Sequence, residues 1–444
     1  MIQKSRIVGI VLMALLALTV FSACKKKDGK VTLKVLYYLE ATAPNAIADA
    51  NLWFDTFEKN HPNVKIDREN LFDEPFHDKT RAYAAAGELP DVLYVWPSGR
   101  SDYLHDQKLL KDLTPFINRD NIKGNYLPLT MDPSQQQAGY MAMIPQGITT
   151  THAYFINMEV LNDCGLQPAK TYAELKTQIP ILKAKGYETV LIPAQSDWVM
   201  QSCLFSMVAG RFGGADWHEQ IINGRAKFTD APFVNALDFI RQLYDDGVIS
   251  RAAVGVEYGE GPGMFANNRG AYYIDGDWRV GAFLTDPDTK QALISPSRQE
   301  NIRISVFPDI PGAKINSSSS VILGVGYAMS ASIPSGSAKE EAAWELVKWM
   351  TGKEVSELRT EHGGTPTPSR TDLNFASMKL EPMQKAVGSL GNEFSTATVV
   401  IDGVFPSEVY NPINTGLIEI AMGTRTPQQV AADVQRAFDN WKAK

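Results

Sequence analysis

Apolar positions along this chain alternate with a period of two in some stretches and recur every three or four residues in others. Val31-Thr32-Leu33-Lys34-Val35-Leu36-Tyr37-Tyr38 alternates and is rich in β-branched and aromatic residues, which predicts a first strand. Asn51–Asn60 has helical spacing through Leu52, Trp53 and Phe57, and His61-Pro62-Asn63 stops it. A strand at Val64–Ile66, a helix over Phe76–Ala86 ending at Gly87, and a strand at Leu89–Trp96 come next. Strand and helix in alternation predict an α/β fold with a mostly parallel sheet covered by helices on both faces. Further along, Thr171–Gly186 and Ala231–Gly247 read as amphipathic helices and Val190–Pro193 as a short strand. Pro427–Ala443 reads as a helix whose Val430, Val434, Phe438 and Trp441 form one core-facing stripe. Gly255–Gly263 reads as a surface loop, Gly213–Trp217 as a flexible loop, and the serine-rich Ile315–Ser320 as an exposed linker before a strand over Val321–Ala328.

The stretch with the most chemistry is Met264–Val280, MFANNRGAYYIDGDWRV. Phe265–Arg269 reads as a helix end, and Gly270–Ile274 is long enough for one buried strand and too short for a helix. Asp275-Gly276-Asp277-Trp278 then turns, with Asp277 placed to cap a helix after the turn. Turns beyond the carboxyl ends of buried strands are where open α/β sheets present ligand-binding side chains. This one offers two carboxylates, an indole and the Arg279 guanidinium, a set suited to a pyranose. Charged groups bond its hydroxyls while the indole covers its C–H face. A buried aromatic beside a turn fits the same residues. The pattern repeats at other predicted strand ends, in Tyr38/Glu40, Trp96, Asp197/Trp198 and Asp216/Trp217. Of these aromatics, Trp217 reads as packing, as does Tyr327, and Trp53, Trp344, Trp349 and Trp441 have helical core spacing.

Composition narrows the classes. The 444 residues carry a formal charge of −7 and no Lys/Arg run longer than Lys25-Lys26-Lys27, which argues against nucleic-acid binding. Lys4 and Arg6 precede the apolar run Ile7–Val20, the layout of an export signal and short for a permanent span. Phe21-Ser22-Ala23-Cys24 resembles a bacterial lipobox, with Phe21 where Leu is usual, so Cys24 is expected to carry lipid; plain signal cleavage near Ala23 is the alternative. Residues 24–30 then form a polar tether. Cys164 and Cys203 fit one disulfide or two buried thiols. The six histidines fall at no metal-ligand spacing, and GxSxG and SxxK with partners are absent, so neither a metal nor a cofactor is expected.

The order of motifs carries a resemblance. The first strand, FEKNHPNVKI, AAAGELPDVLYVW and LLKDLTPF are followed by Gly139-Tyr140, Met143–Gly147, Tyr154–Asn157, Cys164–Pro168 and Thr171–Leu175. The Met264–Val280 stretch, Gly326–Ser330, a helix over Ala338–Met350 and Gly363–Pro366 complete the series. Together they resemble the extracellular solute-binding proteins of bacterial ABC importers, in the carbohydrate-carrying family. The resemblance implies two α/β lobes with a ligand cleft between them and a three-segment hinge, crossing near Pro145–Thr151, Gly326–Ser330 and Gly363–Pro368. It implies one lobe from 31–148 plus 328–363 and another from 149–327 plus 364–444. The implied function is capture of a sugar, an oligosaccharide or glycoside, and its delivery to a membrane permease by an exported, lipid-anchored monomer. The expected ligand-binding residues are Trp278, Asp277, Trp198, Asp197, Glu40, Tyr38, Trp96, Arg279 and Asp275. A polyamine or a polyol phosphate is the alternative ligand. An exported carbohydrate-active enzyme using Asp275 and Asp277 is a further alternative, weakened because two acids on one tight turn do not flank a scissile bond.

Overall fold

The computed structural model describes residues 30–287 and 289–443. The export signal, Cys24 and all of the tether but Lys30 lie outside the described residues. The described strands are β1 (Val31–Tyr38), β2 (Val64–Leu71), β3 (Val92–Val95), β4 (Met143–Pro145), β5 (Gly147–Thr150), β6 (Ala153–Asn157), β7 (Glu188–Leu191), β8 (Gly270–Asp275), β9 (Ile302–Ser305), β10 (Ser318–Leu323), β11 (Gly326–Met329), β12 (Thr367–Pro368) and β13 (Thr396–Thr398).

The first sheet has the order β2-β1-β3-β11-β4. β2, β1 and β3 run parallel as the sequence predicts, but β11 and β4 are antiparallel to their neighbours, so only half of the sheet obeys the alternation rule. One face packs Leu33, Val35 and Tyr37 against Trp53, Phe54 and Phe57 of the helix Ala46–Asn60 and Trp344 and Val347 of the helix Ala338–Met350. The other buries Leu36 and Leu93 against Phe76 and Leu104. The second sheet has the order β7-β8-β6-β9, with β8 buried along its whole length. Tyr154, Tyr272 and Ile274 on one face meet Leu204, Leu237, Leu417 and Val434, and Phe155 and Tyr273 on the other meet Phe265, Phe283 and Met383. Val430, Val434 and Phe438 of the last helix enter this core as their spacing predicts.

A third sheet, β12-β5-β10-β13, joins the two lobes. Its β5 continues from β4 of the first sheet into β6 of the second, and β10 returns through Gly324 and Val325 into β11. The crossings need backbones in near contact. A Cβ on Gly147 would lie 2.2 Å from the Thr367 carbonyl, one on Gly324 2.8 Å from that of Gly147, and one on Gly326 2.3 Å from that of Ile144. Ser318–Ser320 of the serine-rich stretch belong to this sheet, correcting their reading as part of an exposed linker. Ser318, Ser319 and Ser320 are fully buried. Strands on both sides hide them; Ser319 Oγ donates to the His152 carbonyl at 3.0 Å and Ser320 Oγ pairs with Thr398 Oγ1 at 3.2 Å, while Ser318 Oγ is enclosed without a partner. Trp217 is likewise no loop residue. It starts a helix, Trp217–Ile222, and packs among Phe228, Phe233 and Phe405.

Gly147→Ala should therefore lower the melting temperature, at a cost of about 1–3 kcal/mol for forced overpacking. Gly255→Ala, with nothing within 4 Å of its Cβ position, should not. Calorimetric melts of both variants check this, and equal melting would show that the crossing tolerates a wider strand spacing.

Candidate functional site: the cleft between the lobes

The two lobes enclose a cavity of about 340 Å³. Its first-lobe wall is built where strands end: Tyr38 and Glu40 after β1, Phe72 and Asp73 after β2, and Trp96 after β3. The Tyr38 ring lies 5.8 Å from that of Tyr94 in a stack and 5.0 Å from that of Trp96 edge-on, so this wall is a packed aromatic surface. The second-lobe wall holds Trp198, Tyr258, Asp277, Trp278 and Arg279, and the crossings supply Gln146, Gly147 and Gly324.

The turn after β8 sets the second wall. Asp275 is fully buried and accepts from Tyr273 Oη at 2.6 Å, Tyr258 Oη at 3.2 Å, the Gly276 amide at 2.7 Å and Arg279 Nε at 3.0 Å. It does not reach the cavity. In place of the expected ligand contact, it holds the turn from behind the wall, with both oxygens engaged by these four donors. Gly276 has no side chain because the Trp278 indole folds back over it; a Cβ there would lie 2.1 Å from the ring. Trp278 Nε1 donates to Tyr258 Oη at 2.7 Å, and the residue lines the cavity.

Asp277 does not cap the 3-10 helix that begins with it. The cap position is Gly276, and Asp277 Oδ2 instead accepts the Thr150 N–H at 2.8 Å. Oδ1 is enclosed and has no partner. Burial pushes its carboxyl up to about 7, against the lowering pull of the Thr150 and Trp278 amides. Arg279, only 2 % exposed, lies with its guanidinium carbon 3.9 Å from the Tyr258 ring centroid, and pairs with Asp275 through Nε and with Glu40 through Nη1 at 3.2 Å. Its Nη2 is also buried without a partner. Asp277 and Arg279, both lining the cavity, therefore each keep one enclosed polar atom without a partner, an acceptor and a donor.

The lobes touch along one rim. Besides Glu40 with Arg279, Trp198 Nε1 and Ser196 Oγ donate to Asp73 at 3.2 and 3.1 Å, Arg100 faces Asp402 at 3.6 Å, and the Ser407 amide donates to Asp102 at 3.3 Å. Burial raises the Asp73 and Asp402 carboxyls above the ordinary range. On the opposite rim Gly281 faces the Gly363 carbonyl, 3.2 Å from its Cβ position.

Of the nine expected ligand-binding residues, seven line the cavity: Tyr38, Glu40, Trp96, Trp198, Asp277, Trp278 and Arg279. Asp197 does not; it starts a helix beneath the wall and accepts from Asn414 at 3.4 Å. Tyr327 and Trp217 are core residues, as their sequence context predicts. Sequence reasoning missed Asp73, Tyr258, Gln146, Trp53 and the Asp49–His362 pair, joined at 2.7 Å. Phe72-Asp73 repeats the strand-end aromatic-plus-acid pattern and was legible once β2 is run to Leu71. Tyr258 sits in the glycine-rich stretch read as a surface loop, which in fact folds as 3-10 helix, Tyr258–Glu260, leading into a helix at Gly261, with Tyr258 buried. Trp53 was set aside for its core spacing, and it does pack in the core while one edge reaches the cavity. Cys164 and Cys203 are free thiols. Among the described residues no cluster of His, Cys, Asp and Glu is placed to hold a metal, and no helix is long and apolar enough to cross a membrane.

Residues 39–357 match the bacterial extracellular solute-binding protein family. The chain belongs to it. Solved structures similar to this solute-binding protein show the same fold. One, from work on xylan utilization by the thermophilic bacterium Caldanaerobius polysaccharolyticus, has a TM-score of 0.81 at 20% identity, covering 91% of this chain and 99% of that one. A chitin oligosaccharide binding protein has a TM-score of 0.81 at 19% identity, covering 94% and 100%. The maltose/maltodextrin-binding domain MalE from Bdellovibrio bacteriovorus, bound to maltotriose, has a TM-score of 0.73 at 19% identity, covering 93% and 100%.

Asp73→Ala strips partners from Trp198 and Ser196 together. Hydrogen bonds to a charged group contribute about 1.5–3 kcal/mol each, so the balance between open and closed lobes should move about tenfold or more toward open. Small-angle X-ray scattering of the unliganded variant should show a larger radius of gyration. An unchanged radius would show that this rim does not hold the lobes together.

Proposed function

We propose that this solute-binding protein captures a carbohydrate, an oligosaccharide or glycoside, in the cleft and presents it, closed, to the permease of an ABC importer. The observation that carries the reading is the second-lobe wall. An aromatic face at Trp278 stands beside an enclosed acceptor, Asp277 Oδ1, and an enclosed donor, Arg279 Nη2, neither with a partner. Hydroxyl groups donate and accept at once, and a pyranose adds a C–H face for the indole. Glu40, Asp49, Asp73, Asp277 and Asp402 line the cleft together with Arg100, Arg279 and Arg359, so neither a polyamine nor a polyol phosphate meets a wall of one opposite sign, and a neutral ligand fits best. Structural neighbours described as binding chitin oligosaccharide and maltotriose support the class.

Each lining residue then has a role. Tyr38, Trp96, Trp198 and Trp278 supply surface, Asp277 and Arg279 read hydroxyls, and Glu40 couples Arg279 to the first lobe. The lobe division we propose is 31–148 plus 328–363 and 149–327 plus 364–444. The separate cores of the two sheets support it, except that 369–371 pair with 125–127 of the first lobe before the chain enters the second. Export with an anchor at Cys24, and a monomeric state, complete the proposal. The lipobox-like sequence supports the anchor.

A thermal-shift screen of residues 25–444 against oligosaccharides, polyols and polyamines tests the class. A sugar at 100 times its dissociation constant should add about 2.7 kcal/mol of stability; a shift from a polyamine alone would discard the sugar. Trp278→Ala should weaken that sugar about tenfold or more, since stacking adds about 0.5–1.5 kcal/mol beyond the buried area it also loses. The pH dependence has a definite sign. The Asp277 carboxyl, raised to about 7, is neutral below that pH and accepts as a carboxylate above it. A ligand hydroxyl donating to Oδ1 favours the ionised form, so titration calorimetry should find binding about tenfold weaker at pH 6 than at pH 8, following the carboxylate fraction. Equal affinities would remove Asp277 Oδ1 from the contact.

A further inference from the structure

We infer that Asp277 is a positioning residue that joins ligand recognition to the hinge: Oδ1 accepts from the bound sugar while Oδ2 holds the crossing strand β5 through the Thr150 N–H. This deepens the sugar reading and rests on it. Oδ2 lies 2.8 Å from the Thr150 amide, Oδ1 is enclosed and unpartnered, and Asp277 lines the cavity. Thr150 is the last residue of β5, opposite Val321 of β10 in the sheet that joins the lobes. Three residues later Ala153 is in register with Asp275 of β8. The carboxylate of Asp277 therefore clamps the bend where the chain leaves the crossing and enters the second lobe.

A side chain bonded at both ends transmits because its two bonds share one rigid planar group. Turning β5 relative to the second lobe moves the Thr150 N–H, which rotates the carboxylate and re-aims Oδ1. A sugar hydroxyl on Oδ1 is then bonded well in one hinge geometry and poorly in another, and that difference in affinity is what a ligand needs to shift a population. The cation on the same turn makes no bond to β5. Arg279 directs Nε to Asp275 and Nη1 to Glu40.

The test uses two variants with opposite consequences. Asp277→Asn keeps an oxygen for Thr150 and replaces the unpartnered oxygen by an amide nitrogen; Asp277→Ala removes both. Maltotriose, xylotriose and chitotriose serve as probes. Calorimetry gives affinity, small-angle scattering gives closure, and hydrogen exchange of a peptide covering Ile148–Thr151 reports the hinge bond. The wild type should contract and protect the peptide about tenfold on binding. Asp277→Asn should bind about tenfold more weakly yet contract and protect normally at saturation. Asp277→Ala should bind more weakly still and, at saturation, leave the peptide exchanging as in the unliganded protein. Full protection in Asp277→Ala would reduce Asp277 to a ligand contact and overturn the coupling. Wild-type affinity in Asp277→Asn would reduce it to a structural tie and overturn the ligand half. If Asp277→Ala does not fold, the wild type and Asp277→Asn decide, since absence of protection in either contradicts the coupling. Failure of all three sugars to bind the wild type would overturn the sugar reading and this inference together.

Discussion

A guanidinium taken out of water survives only if its charge is met at close range, and Arg279 is buried almost completely. Asp275, on the same turn, meets it from inside the second lobe, and Glu40, at the end of the first strand, meets it from across the cleft. Much of the site depends on this arrangement. Asp275 also gathers Tyr258 and Tyr273, so one buried carboxylate fixes the strand end, the aromatic wall and the cation. With Arg279 fixed, the preceding residues have little freedom. Gly276 must remain bare beneath the indole, Trp278 presents a face, and Asp277 is turned toward β5. The same ion pair also binds the two lobes together.

Joining two lobes by three chain crossings imposes a second constraint. The crossing sheet has to be thin, so its contacts are backbone on backbone, and glycine occupies the points where carbonyls approach. It also has to be polar enough to bend at without becoming part of either core. Three buried serines in β10 and the threonines of β5 and β13 meet that need with small side chains, and the hydroxyls of Ser319, Ser320 and Thr398 bond inside the sheet. The site stands against this sheet rather than remote from it, so recognition and hinge movement share residues.

Much of this was legible in the chain. Hydrophobic alternation located β1, and strand-end aromatics beside acids led to Trp278, Asp277, Trp198 and Glu40. The failures have physical causes. Ser318–Ser320 has the composition of an exposed linker, because what buries it is pairing with strands roughly 75 and 170 residues away in the chain, which local composition cannot register. Tyr258 was hidden by glycines that here permit 3-10 turns instead of a mobile loop. Asp275 and Asp277 look equivalent in sequence. Their roles separate only when register places one under the sheet end and the other beside Thr150. Asp197 shares the Asp-Trp pattern, yet one step along a helix start turns it away from the cavity that Trp198 reaches.

The central claim is that the wall formed by Trp278, Asp277 and Arg279 is the sugar-reading surface, and a crystal structure of the protein with its bound saccharide tests it most directly. A pyranose ring should lie on the Trp278 face, with one hydroxyl within hydrogen-bond distance of Asp277 Oδ1 and an oxygen likewise near Arg279 Nη2. A saccharide held elsewhere in the cleft, with those two groups still unpartnered or bonded to each other, would contradict the account.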